Sequence, residues 1–219
     1  MGNWFAAGGV VMWPLLLCSL LTFALSIERG WFWLRLGRQQ PGLVPQVLTT
    51  FSQSPQGAIA KLKQYQQLPI ARIFLVALTL DDATPEEFRL ALESAAQAEL
   101  PVLKRFQTLF ETVVGIAPLL GLLGTVLGLM RSFSTLRLGE TTGPAASGVV
   151  SGLDEALTST AAGLVVALLA LLLANLFQGL YRRQRAFIQE SGGKLEILYR
   201  RAQRQGTISS RVYLPGQGP

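Results

Sequence analysis

The chain has 219 residues, of which 50% are hydrophobic and only 15% charged. An ordinary soluble domain carries about 25% charged residues, so this composition, with a mean hydropathy of +0.38, excludes a disordered chain and argues against a soluble globule. There is no histidine, which excludes Ser-His-Asp and Cys-His catalysis and removes the commonest metal ligand. The single cysteine, Cys18, can neither close an internal disulfide nor build a Cys cluster.

From the N-terminus, residues 1–27 carry no charged side chain, and their apolar part, Val10 to Ile27, is 18 residues long. It has no Lys or Arg before it, and Glu28-Arg29 and aromatics follow it rather than a small-residue cleavage site. It therefore reads as a retained helix and not as a secretory signal. A second uncharged stretch runs for 19 residues from Thr112 to Met130, and a third for 26 residues from Ala156 to Tyr181. A membrane-spanning helix needs roughly 20 apolar residues. A single stretch of this kind could be a buried core helix, but three in so short a chain predict spans at about residues 10–27, 106–130 and 152–181.

Lys and Arg set the expected orientation. Nine lie between the first and second spans, eight follow the third, and only Arg131 and Arg137 lie in residues 131–151. The excess of positive charge on cytoplasmic loops predicts that residues 28–105 and the tail 182–219 are cytoplasmic, with residues 1–9 and 131–151 on the outer side. Trp4 and Phe5 before the first span, and Trp31, Phe32 and Trp33 after it, suit the two interfaces. The net charge of +6 is explained by this topology and by anionic headgroups beside Arg182, Arg183 and Arg185, without nucleic acid as a partner.

Within the cytoplasmic part, Gly37 to Pro45 and Ser52 to Gln56 read as turns with short helices between them. The apolar run Ile73 to Leu80 is too short to span and is expected to pack in a helical bundle. A stronger start is Thr84-Pro85-Glu86-Glu87, with a capping threonine, proline at the first helical position and acids at the positive helix end. Phe88, Leu92, Ala96, Leu100, Leu103 and Phe110 recur at helical spacing. This pattern predicts one helix from Thr84 to Met130, about 70 Å long at roughly 1.5 Å per residue, bent at Pro101 and Pro118. The third span continues similarly through Phe187, Leu195 and Leu198, is weakened at Gly192-Gly193, and leads to a frayed Leu-Pro-Gly-Gln-Gly-Pro end.

Gly152, Ala156, Ser159, Gly163, Ala167, Ala170 and Ala174 follow one another at steps of three or four and form one stripe. Ala117, Gly121, Gly124 and Gly128 do the same in the second span. Small stripes let helix backbones approach closely in lipid, and simple helix packing accounts for most of these positions. The polar residues say more. Thr125 lies deep in the second span, Ser159 and Thr160 in the outer part of the third, and Asp154 and Glu155 at its outer end. A hydroxyl in a membrane helix ordinarily bonds the carbonyl one turn back, and an acid at a helix N-terminus is ordinarily a dipole partner. An intramembrane carboxylate otherwise marks function.

The run Ala117-Pro118-Leu119-Leu120-Gly121-Leu122-Leu123-Gly124-Thr125-Val126-Leu127-Gly128-Leu129-Met130-Arg131-Ser132-Phe133 resembles the second span of the MotA/TolQ/ExbB proton-channel family. Gly152-Leu153-Asp154-Glu155-Ala156-Leu157-Thr158-Ser159-Thr160-Ala161-Ala162-Gly163-Leu164 resembles its third, and Gly8 to Leu17 the opening of its ExbB branch. The resemblance covers all three spans in order. It implies an all-α integral membrane protein of the bacterial inner membrane, with three transmembrane helices, two of them extended into a cytoplasmic helical bundle. It further implies a homopentameric ring around a central pore and a single-span partner of the ExbD/TolR type bearing an acidic residue, with a TonB-like protein beyond it. The pore threonines of the family map to Thr125 and Thr160, its outer-end glutamate to Glu155 and its bend proline to Pro118, while Asp154 is a possible second acid at the pore entrance.

The residues fit that implication in one respect. No histidine and no charged side chain stands at mid-membrane: the acids of the second and third spans are Glu111 and the Asp154/Glu155 pair, near the two ends, and threonine hydroxyls do not titrate near neutral pH. The proton carrier would have to be the partner's carboxylate. A TolQ-like envelope-constriction role and a non-conducting membrane scaffold are the alternatives. A solute transporter is disfavoured by the lack of a polar midplane site or inverted repeat. Enzymatic activity is not expected, since no nucleophile–base pair or metal set is visible. The glycines at 121–128 lack the lysine of a phosphate loop, and no cofactor is expected.

Overall fold

A computed structural model describes residues 8–135 and 144–205. All its regular elements are helices: α1 Met12–Gln53, α2 Pro55–Gln64, α3 Pro69–Leu78, α4 Pro85–Leu103, α5 Gln107–Thr135 and α6 Pro144–Arg204. Three helical stretches, Met12–Gln53, Pro85–Ser134 and Gly148–Arg204, are long and apolar enough to cross a membrane. The anchors Trp4 and Phe5, Arg137 and the terminal Leu-Pro-Gly-Gln-Gly-Pro lie outside the described residues.

Backbone contacts divide the chain into two compact units. The first combines residues 1–30 with 106–178, and so holds the apolar parts of α1, α5 and α6. Val11 just before α1, Leu15 of α1, Val113 and Ala117 of α5, and Ala167 and Ala170 of α6 form its buried cluster, with Phe110 and Phe177 tilted against each other at 5.5 Å. The outward faces are apolar as well. Leu17, Leu20 and Phe23 of α1, Leu119 of α5, and Leu168 and Leu172 of α6 are each more than 60% exposed. Soluble monomers do not leave an apolar belt of that kind in water, so the unit is built for lipid or for neighbouring protein, and the chain is a multi-pass membrane protein.

The second unit combines residues 31–105 with 179–219. Ser54 caps α2 by accepting from the Gly57 N–H at 3.2 Å, and Pro55, Pro69 and Pro85 each occupy the opening turn of their helix, where a missing N–H costs nothing. The short helix α3 buries Ile70, Ala71, Ile73, Phe74 and Ala77, as its apolar run requires. Arg72 joins it to α4 through a forked pair with Glu99, at 2.6 Å from Nε to Oε1 and 2.5 Å from Nη2 to Oε2. That hydrogen bond is the main reason the Arg72 guanidinium holds its proton more tightly than usual. Farther along, Phe88 of α4 stacks on Tyr199 of α6 at 3.9 Å, and the Tyr199 hydroxyl donates to the Ala83 carbonyl at 2.7 Å. Burial, followed by the charges of Asp82 and Glu87, pushes the Tyr199 phenol up.

The start of α4 is a capping box. The Thr84 hydroxyl accepts from the Glu87 N–H at 3.2 Å, and the Glu87 carboxylate accepts from the Thr84 N–H at 2.7 Å. The bond from the Thr84 N–H, followed by one from the Thr84 hydroxyl at 2.8 Å, holds the Glu87 carboxyl below its ordinary range. A depressed carboxyl stabilises the fold above its unfolded value and loses that contribution as pH falls through the folded value, so the cap weakens on acidification. Thr84→Ala should lower stability by about 1 kcal/mol in thermal unfolding at neutral pH, and the difference from wild type should shrink in acid.

Three expectations are corrected. Gly37 to Pro45 is not a turn, because α1 continues through it with Pro41 and Pro45 inside the helix. Each proline removes a donor at a cost of about 3 kcal/mol in a helix interior. Both prolines are exposed, so the carbonyls they leave unpaired meet solvent, while Leu43, Val44, Val47 and Phe51 on the other face are buried at roughly 1.5–3 kcal/mol each. Packing thus overrides the local turn signal. It follows that α1, expected to end near its uncharged stretch, extends far past it, as α6 does. The predicted helix from Thr84 to Met130 is also broken. Its axis stops at Leu103 and resumes at Gln107, with Phe106 at φ 66°, just beyond the donor that Pro101 lacks. Gly192-Gly193, by contrast, leaves α6 continuous for 61 residues, its buried stripe running through Ile188, Ser191, Leu195 and Tyr199.

Candidate functional site

The two small-residue stripes meet. Gly121, Gly124 and Gly128 of α5 each have α6 where a side chain would stand, whereas Gly115 faces open space. A Cβ on Gly121 would lie 3.1 Å from the Ser159 carbonyl oxygen and 3.1 Å from the Thr160 Cα, and one on Gly128 would lie 2.6 Å from the Gly152 oxygen. At Gly124 the space is taken by the Ser159 side chain. From the other side, a Cβ on Gly163 would lie 2.6 Å from the Ala117 oxygen. Ala156, Ser159 and Ala167 are buried in this seam, and the Ser159 hydroxyl is spent on its own helix, donating to the Ala156 carbonyl at 3.0 Å. Pro118 lies inside α5 one residue beyond Ala117. In lipid, where apolar side chains gain nothing by leaving the solvent, such backbone-to-backbone approach is what holds helices together.

The two threonines behave differently. Thr160 donates across the seam to the Gly121 carbonyl at 3.1 Å, whereas Thr125 donates to Leu122 of its own helix at 2.6 Å. Both are half-buried. Gly121 and Thr125 are one helical turn apart, so the Thr160 hydroxyl and the Thr125 hydroxyl sit on neighbouring turns of the same helix pair. Both hydroxyls donate to carbonyls and keep lone pairs with which to accept.

At the Arg131 end of the seam Glu155 has a partner that residue-by-residue reading missed. Arg131 Nη1 donates to both Glu155 carboxylate oxygens at 2.7 Å. The Glu155 side chain is only 13% exposed, that of Arg131 55%. Gly9, at φ 66°, is packed so closely on the Glu155 carboxylate that any Cβ there would overlap it. The signal for this pair was present in the sequence. Arg131 is the first charge after the second apolar stretch and Glu155 the last before the third, so antiparallel helices bring the two to one depth. Asp154 is exposed and makes no ion pair among the described residues.

Comparisons with known proteins agree with this architecture. The sequence model of the MotA/TolQ/ExbB proton channel family matches residues 65–190. The ExbB-like 3 biopolymer transport protein of Synechocystis is 61% identical over 195 residues, covering 89% of this chain and 93% of that protein. The ExbB-like 1 protein of the same organism is 42% identical over 197 residues, covering 90% and 78%. The biopolymer transport protein ExbB of Pseudomonas putida is 27% identical over 200 residues, covering 88% and 60%.

Proposed function

Since the chain belongs to the MotA/TolQ/ExbB proton channel family, we propose that it is the ring-forming subunit of an inner-membrane motor driven by the proton motive force, with its N-terminus outside and its second unit and tail in the cytoplasm. In this reading five copies surround a pore, an ExbD/TolR-like single-span partner occupies it, and the work is passed through a TonB-like protein to transport across the outer membrane. The ExbB-like names of the relatives favour this over a TolQ-like role in envelope constriction.

One observation carries the proposal. The tightly packed α5–α6 pair presents two hydroxyls, Thr125 and Thr160, within two stretches that contain no charged residue at all. A charged carboxylate brought in by the partner could draw either hydroxyl proton away from its carbonyl, and once protonated it could donate to the same hydroxyls' lone pairs. An ion left without such donors in a low-dielectric interior costs several kcal/mol, so protonation and deprotonation of that one group would change which position of the partner is favoured. About 2.3 kcal/mol per charge per 100 mV is available to drive the change. Glu155, fixed by Arg131, and the exposed Asp154 would mark the outer entrance.

The test is the Thr125→Val/Thr160→Val double variant, which keeps the shape and removes the hydroxyls. Membrane levels and complex assembly should match wild type, while proton-dependent uptake in a complementation assay should fall by about tenfold or more, the weight of one hydrogen bond to a charged group. Uptake at the wild-type rate would rule out the hydroxyls as part of the proton path. Uptake that survives an uncoupler would favour the non-conducting scaffold.

A further inference from the structure

We propose that a cleft in the second unit, between residues 33–41 of α1 and 180–187 of α6, binds the phosphodiester headgroup of an anionic lipid. The cleft is about 290 Å³ in volume and is lined by Trp33, Leu36, Gln40, Arg183, Gln184 and Phe187 among others. Two of these side chains hold buried donors that nothing among the described residues accepts. Trp33 is 8% exposed and its indole N–H has no partner. Gln40 is 2% exposed; its carbonyl accepts from Gln184 at 2.5 Å, which fixes the amide, and its NH₂ group is left without an acceptor. Folded proteins rarely leave buried N–H groups orphaned, and each such case asks for a missing acceptor.

The lining also says which acceptor fits. It contains one cation, the exposed Arg183, and no carboxylate. Two neutral donors and a guanidinium suit phosphate oxygens, and Leu36, Leu180 and Phe187 supply an apolar wall. Depth selects the lipid source over a free ion. Leu180 and Tyr181 end the third uncharged stretch and Arg182 is the first charge after it, so the α6 wall of the cleft begins where hydrocarbon gives way to headgroups, a zone about 5–8 Å thick on each side. Basic pockets at this level between membrane helices recognise lipid headgroups.

The experiment uses the full chain, purified and delipidated in detergent, and titrated with phosphatidylglycerol or phosphatidylcholine while retained lipid is counted by native mass spectrometry. Wild type should retain phosphatidylglycerol about tenfold more readily than phosphatidylcholine. Arg183→Gln and Trp33→Phe should each reduce phosphatidylglycerol retention about tenfold, leaving phosphatidylcholine and the melting temperature unchanged. Arg38→Gln, which removes an exposed arginine that does not line the cleft, should change nothing. Equal retention of the two lipids, or an equal loss in the Arg38 variant, would overturn the proposal in favour of diffuse charge attraction. Displacement of phosphatidylglycerol by millimolar inorganic phosphate would overturn it in favour of a free-anion site.

Discussion

Replacing Gly163 with leucine is expected to pull α5 and α6 apart. The first carbon of the new side chain would stand 2.6 Å from the Ala117 oxygen, 3.0 Å from the Gly121 Cα and 3.2 Å from the Gly121 nitrogen. These are backbone atoms of a helix and cannot turn aside as a flexible side chain would. The helices must separate, and separation also breaks the Thr160 bond to Gly121. Overpacking costs typically 1–3 kcal/mol where side chains can adjust, so about 3 kcal/mol is the expected loss here, or roughly 6–12 °C in the midpoint of thermal unfolding for a chain of this size. Gly179→Ala is the control, because nothing lies within 4 Å of the side chain it would add. A Gly163→Leu protein that melts with wild type would show that the seam does not hold the unit together.

This seam was legible in the sequence as two stripes of small residues, since helical periodicity and the closeness it permits are both local properties. That the stripes face each other residue for residue, with Gly128 against Gly152 and Gly124 against Ser159, is a tertiary fact that periodicity does not contain. The helix start at Thr84 was equally legible, because a capping box involves residues three apart and nothing beyond them. Two of the misread places have different physical causes. Two prolines and two glycines between residues 37 and 45 argue for a turn, and only the burial of Leu43, Val44 and Val47 keeps α1 helical there. At residues 104–106 the apolar spacing argued for continuity, and a positive φ at Phe106, a conformation few side chains adopt, gave no sequence signal. The Arg131–Glu155 pair depends on a fold that places residues 24 apart at one level, so charge counting along the chain passed over it.

That pair yields the second large effect. In an Arg131→Ala variant, Glu155, already 13% exposed, keeps its carboxylate against Gly9 with no cation to answer it. In a Glu155→Ala variant, Arg131, more than half exposed, turns to solvent at little cost. The arginine substitution should therefore be the more damaging of the two, and the Arg131→Ala/Glu155→Ala double variant should be more stable than Arg131→Ala alone. Exposed pairs are worth up to about 1 kcal/mol, and breaking a fully buried one costs about 3–5 kcal/mol. This half-buried pair should show a coupling of roughly 1–3 kcal/mol in a double-mutant cycle, read from denaturation in detergent. The coupling should decline in 1 M salt, where the screening length falls to about 3 Å, because one partner is open to solvent. Exchanging the charges should not restore it. The Glu155 carboxylate packs against the backbone of Gly9, where not even a Cβ can be added, and the longer arginine side chain at 155 has no room to reach a glutamate at 131. Additivity of the single substitutions would mean that Glu155 is held by packing against Gly9 and α1, and that Arg131 is a bystander at the end of α5.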